Sequence, residues 1–254
     1  MTLLQCCVNG RRTRADHPAV PLTPAEIAED CRLAVRAGAQ ELHVHPRDGD
    51  GRQTLDPWYC DATVSAVHAT CPGIPLGLTT IADAQPDPIR RLALVRAWHV
   101  PPDYVSVNFS EDGALELCAA LRERKIGIEA GLWGEPDAER LIASGLADRC
   151  LRVLIEPVDV DPATALRTAR SMSRLVRGAR IALPQLVHGR DGAAWHVLVA
   201  ALHDGDDVRI GLEDTLVRDD GATARDNAEL VAIAGRTVER RHEDETDTGG
   251  SAPA

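Results

Sequence analysis

Eight short apolar segments typical of β-strands alternate with longer segments typical of α-helices along this 254-residue chain. The strands are predicted at residues 3–8, 41–45, 75–79, 104–108, 126–130, 151–155, 181–187 and 208–212. The helices are predicted at residues 24–37, 61–70, 88–98, 113–124, 136–144, 162–176, 193–203 and 224–234. Strict alternation predicts a parallel sheet, and eight units within one domain length predict an α/β fold, a single (β/α)8 TIM barrel.

Capping residues at the two ends of the first predicted helix support these boundaries. The first helix is preceded by Thr23, begins at Pro24 and carries Glu26 in its first turn, the pattern of a capping box, and Gly38 follows its end. We assign residues 1–239 to the barrel. Residues 240–254 have no apolar periodicity, and we predict that they form a disordered tail.

Composition excludes several classes of protein. Aromatic residues make up only 3% of the chain, so we expect Ala, Val, Leu and Ile to fill the interior, including the centre of the barrel. A net charge of −11 argues against nucleic acid or an anionic membrane as partner. Seven scattered cysteines without a CxxC pair favour a reducing cytoplasm. We expect neither a signal peptide nor a membrane span.

The tripeptide His43-Val44-His45 closes the second predicted strand. Side chains at i and i+2 of a strand point to the same face, so the two imidazoles lie side by side at a spacing that a divalent metal accepts. A pair of hydrogen-bonded structural histidines is the other interpretation of the same spacing. A metal site requires further ligands from elsewhere in the chain.

Polar residues end every predicted strand. They are Asn9, His43 and His45, Thr79 and Thr80, Ser106 and Asn108, Glu129, Glu156, His188, and the group Arg209, Glu213 and Asp214. In a parallel barrel the carboxyl ends of the strands converge on one mouth, where the active site is built. Residues far apart in sequence are therefore expected to share one cavity.

Four segments together resemble the β-keto acid cleavage enzyme family, whose founding activity is 3-keto-5-aminohexanoate cleavage. They are CVNG at 7–10, DHPAVPLTPAE at 16–26, HVHPRD at 43–48 and RIGLED at 209–214. The similarity extends from about Leu4 to about Ala234. It implies a zinc-dependent TIM barrel that converts a β-keto acid and acetyl-CoA into acetoacetate and a new CoA thioester, and it suggests a homotetramer.

The resemblance also implies roles for individual residues. His43, His45 and Glu213 match the metal ligands, for one Zn²⁺ per chain with an open coordination position. Asp214 matches the catalytic aspartate, as a base or to orient the arginine, and Arg209 matches that arginine. Thr79, which matches the serine of a Ser-Thr-Gly turn, is expected to be a third catalytic residue. Thr80, Ser106, Asn108 and Glu129 are expected to bind the substrate.

Arg12 is the most informative departure from the family pattern. An ungapped alignment through Asn9 and Gly10 places it where the lysine-fermentation enzyme has a glutamate facing the substrate ammonium group. An arginine repels an ammonium group, so we expect a β-keto acid with an anionic or neutral tail. Two other interpretations of the cluster Arg11, Arg12 and Arg14 are a solvated loop face and a contact with the CoA phosphates.

Several assignments stay open at the level of sequence. His188 is placed to be a fourth metal neighbour or a gating or supporting residue, and Glu156 to be an ion-pair partner at the mouth. Arg47 and Asp48 are expected to pair with each other or to orient the histidines. A metal-dependent amidohydrolase is the alternative enzyme class, and a dicarboxylate-binding module without chemistry is a third possibility.

Overall fold

A computed structural model describes residues 2–248 as a closed barrel of eight parallel strands in chain order. The strands are β1 (Leu4–Cys7), β2 (Glu41–Val44), β3 (Leu76–Thr79), β4 (Tyr104–Asn108), β5 (Gly127–Leu132), β6 (Arg152–Ile155), β7 (Gln185–Val187) and β8 (Asp207–Ile210). The helices are α1 (Pro24–Arg36), α2 (Pro57–Thr70), α3 (Pro88–Arg96), α4 (Ala114–Glu123), α5 (Glu135–Ser144), α6 (Pro162–Gly178), α7 (Ala194–Asp204) and α8 (Asn227–Thr248). The predicted (β/α)8 fold is confirmed.

The capping signals determine where α1 and α2 begin. Thr23 accepts a hydrogen bond from the backbone N–H of Glu26, and the Glu26 carboxylate accepts one from the backbone N–H of Thr23, which is the predicted capping box. Helix α2 starts at Pro57, earlier than predicted, because Asp56 caps the N–H of Trp58 and proline fits the first helical position.

Two further predicted boundaries differ from the structure. Strand β7 is shorter than its predicted range because Pro184, directly before it, has no N–H to donate to a neighbouring strand. Helix α8 begins at Asn227 and continues to Thr248, past the predicted start of the tail at residue 240. Once its packed first half has formed, each added residue closes one more backbone hydrogen bond, so the helix extends into a polar segment. Residues 249–254 of the predicted tail lie outside the described residues.

The apolar core lies between the sheet and the helices, as a barrel of this class requires. Alternation along each strand directs side chains such as Leu42, Val44, Leu78 and Val105 outward, against the helices. None of the helices within residues 2–248 has both the length and the apolar character needed to cross a membrane. The seven cysteines are free thiols.

The centre of the barrel is polar, contrary to the expected aliphatic filling. Arg152 donates a 2.7 Å hydrogen bond to Glu129 and pairs with Glu41, and its guanidinium lies 4.9 Å from the centroid of the Tyr104 ring. Gln5 donates to the Tyr104 hydroxyl at 2.8 Å. Composition counts residue types but does not say which face of a strand each residue occupies.

Gly77 makes room for the one large ring inside this polar centre. A Cβ atom at residue 77 would lie 2.1 Å from Cε2 of Tyr104, which is fully buried and donates a hydrogen bond to the carbonyl of Leu42 at 2.8 Å. The ring is therefore locked from two sides. The strand β3 position beside it accepts only glycine without a shift of the surrounding structure.

We expect Gly77→Ala to lower the free energy of unfolding by about 1–3 kcal/mol, because the added methyl overpacks the Tyr104 site. The matched control is Gly235→Ala in α8, where a Cβ meets no atom within 4 Å. Replacing a glycine inside a helix should raise stability by up to about 1 kcal/mol. Chemical denaturation of both variants measures the effects, and an unchanged Gly77→Ala protein would contradict this account.

Candidate metal centre and substrate cavity

The carboxyl ends of the strands surround a cavity of about 220 Å³. Its walls are formed by Arg11, Arg12, His43, His45, Thr79, Ile81, Ser106, Asn108, Trp133, Leu154, Glu156, Val158, Val160, Arg190, Asp191, Arg209 and Glu213. The cavity thus lies where the barrel fold predicts an active site. Four arginines and three carboxylates among these residues make it a charged pocket.

His43, His45 and Glu213 come together at the bottom of this cavity. Nε2 of His45 lies 3.4 Å from Oε1 of Glu213, and Nε2 of His43 lies 4.0 Å from Oε2. One donor atom from each residue lies within 4.8 Å of the other two. The three residues predicted from opposite ends of the sequence are therefore brought together.

Residues from the loops after β1 and after β2 hold His45. Its backbone N–H donates to Asn9 Oδ1 at 2.9 Å, and Asn9 Nδ2 donates back to the His45 carbonyl at 3.0 Å. Nδ1 of the ring bonds to Oε1 of Gln53. This contact orients the ring so that Nε2 faces Glu213. Gln53 was not predicted, because no pattern links a loop glutamine to a histidine eight residues before it.

The charge states of His43 and Glu213 suit a divalent cation. Burial lowers the pKa of His43 to about 4, so the ring is neutral near pH 7 and has a free electron pair. Burial opposes ionisation of Glu213, but Arg209 and the two histidines hold the pKa of this carboxyl well below its usual range. Oε2 of Glu213 is buried and has no hydrogen-bond partner within the described residues.

The donor set therefore fits a metal. Two imidazole nitrogens and one carboxylate oxygen form the three-ligand set of catalytic zinc sites, which keep a fourth position open. A buried carboxylate oxygen without a partner is costly unless a cation meets it. These residues match the predicted ligands.

Arg209 joins the metal centre to a second buried pair. Its Nη2 donates to Oε1 of Glu213 at 2.8 Å and to Oδ1 of Asp214 at 2.9 Å. Arg209 faces the cavity, whereas Asp214 is only 1% exposed and lies behind it. The two residues form the dyad that the resemblance implies, with Arg209 as the member at the cavity wall.

The predicted catalytic residue Thr79 and the predicted substrate contacts Ser106, Asn108 and Arg12 line the cavity. Thr79 Oγ1 accepts a hydrogen bond from the Ile81 N–H at 3.1 Å, which leaves its own proton available to a ligand. Contact between these four side chains and a substrate stays a prediction.

Two other predicted contacts, Thr80 and Glu129, do not line the cavity. Thr80 follows a cavity residue on β3, so alternation turns its hydroxyl away, where it donates to the Ser106 carbonyl at 2.7 Å. Glu129 lies inside the barrel, fully buried and bound to Arg152. Its side chain belongs to the polar centre.

Arg12 is paired rather than free. Its guanidinium forms an ion pair with Asp191, a cavity residue on the short turn (Asp191–Ala193) before α7. Arg11 pairs in the same way with Asp83 at 3.0 Å, and both residues of that pair are about half exposed. Sequence could not predict these partners, because Asp191 lies 179 residues from Arg12.

The residues after His45 act on the loop that carries Arg12. Arg47 donates to the backbone carbonyls of Gly10 and Arg12 and does not pair with Asp48, contrary to one of the two expectations. Asp48 accepts the N–H groups of Asp50 and Arg52. Arg47 therefore fixes the β1–α1 loop over the cavity.

His188 is not one of the three clustered metal donors. Its Nδ1 lies 3.2 Å from Asp214 Oδ1, and its Nε2 lies 3.2 Å from Glu156 Oε2. Glu156 also pairs with Arg190 at 3.4 Å, which agrees with its predicted role at the mouth. Of the roles left open for His188, the supporting one fits this position.

Known proteins resemble this chain in sequence and in fold. The sequence matches the family model described as beta-keto acid cleavage enzyme over residues 2–246. A 3-keto-5-aminohexanoate cleavage enzyme from Fusobacterium nucleatum is 26% identical over 245 residues, which cover 86% of this chain and 84% of that protein. A 3,5-dioxohexanoate:acetyl-CoA acetone transferase from Paraburkholderia graminis is 30% identical over 108 residues, 42% of this chain and 34% of that protein.

The structure of ObcA in binary complex with oxaloacetate resembles this barrel with a TM-score of 0.72 at 19% identity. The match covers 89% of this chain but only 64% of ObcA, so the chain spans a little under two thirds of that protein, and the likeness concerns the fold alone. The family model, in contrast, matches nearly the whole sequence, which confirms the resemblance predicted from HVHPRD and RIGLED. The chain belongs to the β-keto acid cleavage enzyme family.

Proposed function

We propose that this protein transfers the acyl part of a β-keto acid to CoA. The β-keto acid and acetyl-CoA are consumed, and acetoacetate and a new acyl-CoA are formed, so that one carbon–carbon bond breaks, another forms and no water is used. The observation that carries this proposal is the cluster of His43, His45 and Glu213 beside the Arg209–Asp214 pair in one cavity of a family member.

The cluster would hold a divalent metal, for which we propose Zn²⁺. A metal bound there supplies a Lewis acid that stabilises negative charge developing on a keto oxygen. The Arg209–Asp214 pair acts as a unit in the proton abstraction: Asp214 is its base, and Arg209 faces the cavity and holds the carboxylate at 2.9 Å. The proton to be removed is on the carbon between two carbonyl groups, and Arg209 is the member of the pair that faces the cavity.

The opposite wall supplies neutral hydrogen-bonding groups. Thr79, Ser106 and Asn108 extend from β3 and β4 toward the cavity, where their hydroxyl and amide groups can bind the substrate carboxylate. These two walls would position the β-keto acid so that its reacting carbon faces Arg209, behind which Asp214 lies.

The charged mouth determines which substrate tail is accepted. Arg11, Arg12 and Arg190 line it, each with a carboxylate partner. Because Arg12 already pairs with Asp191, an anionic tail would replace one carboxylate partner of Arg12 with another. An ammonium tail would instead meet the positive charge of Arg12, where the lysine-fermentation enzyme has a glutamate. We infer a β-keto acid with an anionic or neutral tail.

A hydrolase of the amidohydrolase class is not favoured. The remote ligand is Glu213 rather than a histidine, and the family model matches residues 2–246. A requirement for acetyl-CoA separates the cleavage enzyme from a hydrolase and from a binding module. The cytoplasmic location and the homotetramer stay predictions.

Glu213→Gln is expected to reduce metal retention and to lower acetyl-CoA-dependent turnover about 100-fold or more, because an amide cannot replace the buried carboxylate ligand. Metal content by elemental analysis and acetoacetate release measure the two effects. Glu135→Gln, at the exposed start of α5, is the matched control and should retain both. Full activity of Glu213→Gln would remove the metal assignment.

A substrate panel tests the tail. We expect 3-oxoadipate or 3-oxoglutarate to be turned over faster than 3-keto-5-aminohexanoate, and Arg12→Ala to lower kcat/KM for the anionic substrates about 10-fold. Arg14→Ala is the control, since Arg14 lies in the same loop but pairs with Glu26 outside the cavity. Faster turnover of the amino substrate by the unaltered enzyme would refute the tail assignment.

A further inference from the structure

His188 lies between two carboxylates behind the cavity wall. The residue is 1% exposed, and its backbone N–H donates to the carbonyl of Ile155 at 3.1 Å. Both ring nitrogens lie 3.2 Å from a carboxylate oxygen, Nδ1 from Asp214 and Nε2 from Glu156. Nδ1 also lies 3.3 Å from the carbonyl oxygen of Gly189, and Nε2 is buried without a hydrogen-bond partner within the described residues. The two carboxylate contacts are therefore ion pairs, which form when both ring nitrogens carry protons.

The charges around the ring support this state. Burial and Arg209 oppose protonation, but Asp214 and Glu156 together raise the pKa of His188 above its ordinary value. Arg209 Nη2 lies 2.9 Å from Oδ1 of Asp214, and Arg190 lies 3.4 Å from Glu156. Cations and carboxylates therefore alternate along this row, in which Arg209, Glu156 and Arg190 are at the cavity wall and Asp214 and His188 lie behind it.

We propose that His188 is a positioning residue for Asp214. Glu156 fixes the imidazole from the cavity side, and the imidazole in turn holds the Asp214 carboxylate in the orientation in which it meets Arg209. A ring with both nitrogens directed at carboxylates has no electron pair to offer a metal, which separates this role from metal ligation. The proposal rests on the proposed function, in which the Arg209–Asp214 pair carries the proton transfer.

His188→Gln should lower kcat about 10- to 100-fold, the usual effect of losing a residue that orients a group beside a metal site. KM should change little, because His188 is not among the residues that line the cavity. His68→Gln is the matched control: Nε2 of His68 also meets a carboxylate, that of Asp103 at 3.1 Å, away from the cavity, and kcat should be unchanged.

A double-mutant cycle distinguishes positioning from a general structural role. If His188 acts through Asp214, then His188→Gln adds little further loss of kcat in an Asp214→Asn background. An equal loss in both backgrounds would overturn the proposal. Should His188→Gln fail to fold, Glu156→Gln replaces it in the same cycle, and its loss of kcat should likewise vanish in the Asp214→Asn background; a loss that persists would count against the proposal.

A crystal structure of His188→Gln tests the proposal without any turnover. The Asp214 carboxylate should leave the position in which Arg209 Nη2 donates to its Oδ1, and an unchanged carboxylate would refute positioning. Absence of acetyl-CoA-dependent turnover in the unaltered enzyme would instead refute the proposed function. The two failures are therefore distinguishable.

Discussion

The site depends on the close approach of β8 to β1. A Cβ atom on Gly211 would lie 1.9 Å from the carbonyl oxygen of Cys7, and the same carbonyl accepts the N–H of Glu213 at 3.3 Å. Gly10, with φ +50°, leaves the space that the Glu213 side chain fills, since a Cβ there would lie 2.2 Å from its Cγ. Without these two glycines the Glu213 carboxylate could not cross the end of β1 to reach the histidines of β2.

The close packing of β8 against β1 also excludes water from the charged groups of the site. These groups must therefore form ion pairs with one another. Arg209 is 2% exposed and is shared by Glu213 and Asp214. An unpaired buried charge costs several kcal/mol, about as much as a domain can lose without unfolding, so each ion needs an opposite partner. His43 avoids this cost by staying neutral, which is the state in which an imidazole binds a metal.

Sequence patterns predicted the elements well because their causes are local. The Thr23 capping box and the four residues of β3, Leu76–Thr79, depend on neighbours within one turn or one strand. Two of the boundaries that differ, the start of β7 and the end of α8, depend on whether a neighbouring strand accepts a residue or how far a packed helix extends. The polar centre around Arg152 and Tyr104 was missed, since composition does not assign faces.

The sequence by itself determined the barrel, the order of its units, the family, and the placement of His43 and His45 on one face of a strand, because all of these follow from spacing along the chain. Tertiary structure alone decided that Thr79 faces the cavity and Thr80 does not, and that Glu129 lies below it. It also brought Gln53 to His45 and His188 to Asp214. Those contacts depend on the direction of each side chain and on the closure of the barrel. The spacing of residues along the chain specifies neither.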